Sequence, residues 1–93
     1  MPSAIAHVAT AKPGPYMKQL CRHFGHRNEV IFDDERGEIH LSSGVCALDA
    51  TGEGVLVLTA TSADPESLET LERVIGVHLE RFGTGDGLSV SWS

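Results

Sequence analysis

A thiol, two imidazoles and three cations fall within twelve residues of this chain, Tyr16-Met17-Lys18-Gln19-Leu20-Cys21-Arg22-His23-Phe24-Gly25-His26-Arg27. Thiolate and imidazole bind soft metals, and imidazole also carries protons near neutral pH. The spacing Cys21-x-His23-x-x-His26 reads as a ligand set until it is placed on a helix. Residues three apart lie about 60° from each other around the axis, so His23 and His26 can converge. Cys21 lies about 160° from His23, so an intact helix cannot offer all three to one ion. The candidate metal set is therefore His23, His26 and a third imidazole from elsewhere, His78, holding a transition metal. Tyr16 and Arg22 complete the candidate ligand-binding residues. The competing reading of His78 is a core histidine hydrogen-bonded to a backbone carbonyl, because it sits in an apolar helical stripe. His7 and His40 fall on strands and read as exposed polar residues.

The elements that must position these groups follow from periodicity and chain breakers. Ser3–Thr10 reads as a first strand. Pro15 suits the first position of a helix, where no hydrogen-bond donor is lost, and the helix runs from Pro15 to Phe24 with Gly25 at its end. Its apolar face is Tyr16, Met17, Leu20 and Phe24, with Cys21 at the border. Four short strands follow, at Glu29–Asp33, Glu38–Ser42, Val45–Ala50 and Val55–Thr61, alternating with period two. Asp34-Glu35-Arg36-Gly37 reads as a turn with Gly37 at positive φ. Asp64-Pro65-Glu66 starts a second helix that runs to Phe82 and buries Leu68, Leu71, Ile75, Leu79 and Phe82. A last strand, Leu88–Trp92, points Leu88, Val90 and Trp92 inward.

The order is thus β-α-β-β-β-β-α-β. It predicts an α+β fold, a mostly antiparallel sheet with two helices on one face, in the order of TATA-binding-protein-like domains. The other face would carry Ile31, Val45, Ala47, Val55 and Val57 among Glu38, His40, Asp49 and Thr59. That surface is too apolar to stand open, and a second copy of the chain is the simplest cover, which predicts a homodimer.

Length and composition bound the rest. The 93 residues make one domain. No apolar run approaches the roughly 18 residues that span a bilayer, and the N-terminal residues do not resemble a secretory signal, so the expected location is cytoplasmic. Cys21 and Cys46 then read as reduced thiols packed as small hydrophobes. The net charge of −6 is unevenly placed. Residues 1–28 carry Lys12, Lys18, Arg22 and Arg27 with no acid, +4, and residues 29–93 carry three arginines and thirteen acids, −10. An acidic chain is a poor nucleic-acid binder, although the basic segment suits an anionic ligand. Asp33-Asp34-Glu35-Arg36-Gly37-Glu38 lacks the spacing of a calcium loop. Gly83-x-Gly85-x-Gly87 follows a helix, whereas phosphate-binding glycine loops open one.

Three blocks carry a resemblance: Tyr16-x-x-Gln19-Leu20-Cys21-x-His23-Phe24-x-His26, Phe32-Asp33-Asp34-Glu35-Arg36-Gly37, and His78-Leu79-Glu80-Arg81-Phe82 followed by Val90-Ser91-Trp92. Together they resemble the bacterial domain-of-unknown-function family 2218 over nearly the whole chain. The family label carries no established activity. The resemblance implies a module found beside, or fused to, flavin-binding siderophore-interacting proteins, and hence a role near bacterial iron uptake. It also places His23, His26 and His78 within the family's motif blocks. The expected function is a small non-enzymatic binding or accessory domain whose histidine and cation cluster holds an anionic or metal-bearing ligand. The alternative is a metal- or histidine-dependent enzyme using His23, His26 and His78.

Overall fold

In the computed structural model, which describes residues 1–93, the elements are β1 (Ser3–Ala9), α1 (Pro13–Gly25), β2 (Glu29–Phe32), β3 (Arg36–Leu41), β4 (Gly44–Asp49), β5 (Val55–Thr61) and α2 (Pro65–Phe82), then a short 3-10 turn (Thr84–Asp86). The five strands form one sheet in the order β1-β5-β4-β3-β2, antiparallel at every pairing. Chain direction explains this order. After β1, α1 crosses the sheet to the far edge, and the β2–β5 meander returns until β5 pairs with β1. The α+β reading and its element order are borne out.

Both helices lie on one face, α1 over β2 and β3, and α2 over β4, β5 and β1. The core between them and the sheet is built from the expected stripes. Met17, Leu20 and Cys21 of α1 and Leu71, Ile75 and Leu79 of α2 meet Val8, Ile39, Cys46, Leu56 and Leu58, all fully buried. No helix is long and apolar enough to cross a membrane.

Three local expectations give way to different geometry. α1 starts at Pro13 rather than Pro15, since a third helical residue also lacks an intrahelical donor role and tolerates proline. Gly37 is not in the turn and has no positive φ. It lies inside β3, where an added Cβ would sit 3.0 Å from both Cys21 Sγ and Phe32 Cβ, so its missing side chain lets α1 approach the sheet. Asp33 tightens the hairpin instead, its Oδ1 accepting from the Glu35 and Arg36 amides at 2.8 and 2.9 Å. Finally, the last β position of the order is a single bridge, Ala6 to Trp92, flanked by reciprocal bonds between Ile5 and Ser93. Leu88, Val90 and Trp92 still pack inward against the core.

The two thiols are buried and unpaired. Burial pushes Cys21 up to about 11. Burial, reinforced by Cys21, pushes Cys46 up to about 12. Because the thiolate is the reactive species, a thiol-specific reagent at neutral pH is expected to label neither cysteine in the folded protein and both after denaturation.

Three aspartates at turns and caps couple stability to acid. Asp33 is held below the usual carboxylate range by the Arg36 and Glu35 amides. Asp49 is lowered by the Thr51 hydroxyl and amide, and Asp64, the N-cap of α2, by the Ser67 amide, whose bond is 2.8 Å. A carboxylate whose folded value is depressed contributes stability that is present above its unfolded value, about 3.9, and is lost as pH falls through the folded value. The melting temperature is therefore expected to hold between pH 5 and 7 and to fall steadily below about pH 4 in a series of thermal scans.

Candidate functional site at the crossing of the two helices

Antiparallel packing of α1 against α2 brings distant parts of the sequence together in order. Tyr16, early in α1, meets Asp86 just beyond α2, and His23, late in α1, meets His78 and Phe82 inside α2. The His23 and His78 ring centres are 4.9 Å apart with planes tilted by 40°. Phe24 and Phe82 wall the pair, standing edge-on to His23 at 5.1 and 5.4 Å, and Phe24 also meets His78 at 5.1 Å. The apolar stripes cause this: Phe24 and Phe82 are each the last core residue of their helices, so the adjoining imidazoles sit where the interhelical groove opens to solvent.

His78 is bonded to a backbone carbonyl, as the core-histidine reading has it. Its Nδ1 lies 2.7 Å from the Val74 carbonyl oxygen. A carbonyl can only accept, so Nδ1 carries a proton and donates it, leaving the lone pair of the neutral ring on Nε2. The bond anchors the half-buried ring and fixes which nitrogen remains free. His23 is exposed. Neither imidazole is hydrogen-bonded to a carboxylate, the partner that orients a histidine for proton transfer; the close histidine–carboxylate pair is His40 with Glu38, on the sheet.

His26 does not join them, and no three His, Cys, Asp or Glu residues converge to hold a metal ion. The three-histidine site is corrected to a pair. His26 keeps helical angles, φ −67° and ψ −26°, as the C-cap of α1, so the chain does not unwind at Gly25 and His26 stays exposed on the outer surface. Tyr16 also leaves the set. It lies about two turns along α1 from His23, its ring is buried, and its hydroxyl donates to the Asp86 carboxylate. That bond, with burial and the charge of Asp86 adding to it, raises the Tyr16 phenol above its ordinary value. Lys12 stands 3.8 Å from the same carboxylate, so this end of α1 is a tie between the helices.

Arg22 remains as expected, exposed beside His23. The ion pairs of the structure use Lys12, Lys18, Arg36 and His40. Arg22 on α1, Arg27 just beyond its end and Arg81 on α2, one turn beyond His78, are exposed and outside all of them. The helix crossing thus presents two imidazoles, with Arg22, Arg27 and Arg81 close to them in sequence. Basic groups at a helix C-terminus also suit its dipole, which accounts for some of this charge without a ligand. From sequence, Phe24 and Phe82 read as core residues and Arg81 only as part of a motif block; the i+3 and i+4 spacing of Arg81 and Phe82 from His78 was the available signal for the site.

Comparisons with known proteins place this architecture. The chain is similar over its full length to a protein from Pseudomonas aeruginosa whose structure, the NMR structure of PA4090, has 31% sequence identity and a TM-score of 0.82, with 100% of this chain and 96% of that one covered. No curated protein matches the chain in sequence. The sequence profile of a family described as an uncharacterized protein conserved in bacteria, DUF2218, matches residues 5–93. With that match spanning nearly all of the chain, the protein belongs to the DUF2218 family of bacterial proteins.

Proposed function

We infer that the protein is a small binding domain that takes an anionic, metal-bearing small molecule at the helix crossing. The observation that carries this reading is the His23–His78 separation of 4.9 Å. An imidazole-bound ion lies about 2.1 Å from the ligating nitrogen, hence about 3.2 Å from the ring centre. Two rings on neighbouring positions of one ion then have centres about 4.5–5.2 Å apart. Two protein nitrogens leave a transition metal's remaining positions to donors that a small chelate brings. Arg22, Arg27 and Arg81 would offset the negative charge of such a chelate. Ligand, metal and protein would thus share the coordination, which fits a carrier or accessory role better than a resident cofactor. The siderophore-related role that the family resemblance implies makes iron chelates the ligands to test first within this class.

The test is a calorimetric titration of untagged protein with nickel–nitrilotriacetate, a chelate that leaves two neighbouring metal positions open. Saturable one-to-one binding is the expected result. No saturable binding of this probe or of ferric citrate would remove the reading.

A further inference from the structure

The two edges of the sheet are finished differently. β1, at one edge, is covered at its middle by the C-terminal segment, through the reciprocal Ile5–Ser93 bonds and the Ala6–Trp92 bridge. β2, at the other edge, has no such cover. The Asp33 amide donates to the Arg36 carbonyl at 2.9 Å, so Asp33, Ile31 and Glu29 turn their backbone groups toward β3. Alternation along the strand then turns those of Val30 and Phe32 outward, where no strand of the chain pairs with them. Natural edges are usually blunted by proline, lysine or a bulge, and Glu29-Val30-Ile31-Phe32 has none of these.

The residues flanking β2 select its occupant by charge. The chain enters the strand through His26 and Arg27 and leaves it through Asp33, Asp34 and Glu35, all exposed. Arg27 and Glu35 have no ion-pair partner within the chain. Asp33 accepts the two turn amides through Oδ1 and keeps Oδ2 free. The strand is thus cationic at one end and anionic at the other, roughly 13 Å away at about 3.3 Å per residue. Laid antiparallel against itself, such a strand sets each basic end beside an acidic one, and two-fold symmetry makes the match twice. A strand of another protein would need the same order of charges, which a second copy supplies by construction.

We propose that β2 pairs edge to edge with β2 of a second copy, so that one antiparallel sheet runs through both. Outward residues must meet outward residues, and most of the strand is paired when the two-fold axis falls at Val30 or at Ile31. The Ile31 axis sets Glu29 against Asp33 of the other copy, like charge on like, at both ends. The Val30 axis sets Glu29 against Ile31 instead, and brings Arg27 within reach of Asp33 and His26 beside Asp34. Charge therefore selects the Val30 axis. Glu29 stays hydrated, because an edge contact covers neither face of the sheet. Each copy carries −6, but that general repulsion is screened over about 8 Å at physiological salt, and the groups at the contact decide. One strand edge buries less than a standard interface, which makes the dimer weak and concentration-dependent.

Sedimentation over a micromolar to millimolar range tests this. The wild-type mass is expected to rise toward twice that of the monomer, while hydrogen exchange at the Val30 amide slows about threefold or more. Arg27→Glu and Asp34→Arg are each expected to weaken association about tenfold, since each reverses two contacts, with unchanged circular dichroism. Mixed in equal amounts, the two variants should associate again, because the mixed pair restores opposite charges at both ends. Glu53→Lys, in the β4–β5 loop, shifts net charge as Asp34→Arg does and should leave association unchanged. A wild-type monomer throughout the range would overturn the proposal and leave the edge to a strand of another protein. So would a dimer indifferent to both variants, a mixture that stays dissociated, or a Val30 amide whose exchange ignores concentration.

Discussion

Gly44→Ala is expected to cost about 3–5 kcal/mol, the range of the most damaging single substitutions, and to lower the melting temperature by roughly 12–40 °C at about 4–8 °C per kcal/mol for a domain of this size. Gly44 opens β4 with φ at +149°, a conformation that side-chain-bearing residues rarely adopt. Space is lacking as well. An added Cβ would lie 2.3 Å from the Thr61 carbonyl oxygen and 2.5 Å from Ser62 Oγ, with Leu71 Cδ2 of α2 at 3.0 Å. The first contact is backbone of the neighbouring strand and cannot swing away. Ser62 is itself buried and donates to the Ser43 carbonyl at 2.6 Å, which ties the β5–α2 connection to the β3–β4 turn. An alanine must therefore displace either the β4–β5 pairing or the seat of α2. Thermal or urea denaturation checks the outcome, and Gly54→Ala is the informative companion. Gly54 also has positive φ, +70°, but nothing within 4 Å of its added Cβ. Its loss should be the smaller, reporting backbone strain alone.

The second large effect is on ligand affinity. His78→Ala or His23→Ala is expected to weaken nickel–nitrilotriacetate binding about 100-fold. Two imidazoles on one scaffold bind a common ion with the second step intramolecular, and removing either leaves a single-point contact. His26→Ala should be silent, because His26 sits outside the pair. Arg22→Gln should weaken binding by a smaller factor that shrinks as salt is added, as expected of a screened charge rather than a ligand. A thermal scan of each variant separates lost coordination from lost packing of the Phe24–Phe82 wall. Equal loss in His26→Ala and His78→Ala would place binding on the exposed outer face of α1 instead.

How far the sequence carried these conclusions depended on whether the determining contact was local. α2 was legible to the residue: Asp64 caps it, proline takes its first position, and Gly83 ends it. β4 and β5 were equally plain, since Cys46, Leu48, Leu56 and Leu58 alternate and are all buried. The glycines were harder. Gly37 and Gly44 follow polar, turn-like residues, and nothing near them in sequence announces that Cys21, Thr61 and Leu71 press against them. The C-terminal segment has strand-like alternation but reaches the sheet only at Ala6. The same distinction divides the candidate site. Helical spacing alone removed Cys21 from the ligand set. It could not show which of His26 and His78 lies against His23, because that is set by the antiparallel crossing of two helices, which brings together His23 and His78 from 55 positions apart.

The central claim is that His23 and His78 act together through their free nitrogens. Nitrogen-15 imidazole correlation spectra recorded during a nickel–nitrilotriacetate titration test it most directly, because the paramagnetic ion broadens the resonances nearest to it. The account predicts that His23 and His78 broaden first, while His7, His26 and His40 stay sharp, and that Nδ1 of His78 remains the protonated nitrogen before the probe is added. Broadening centred on His26 or His40, or a His78 protonated at Nε2 alone, would contradict it.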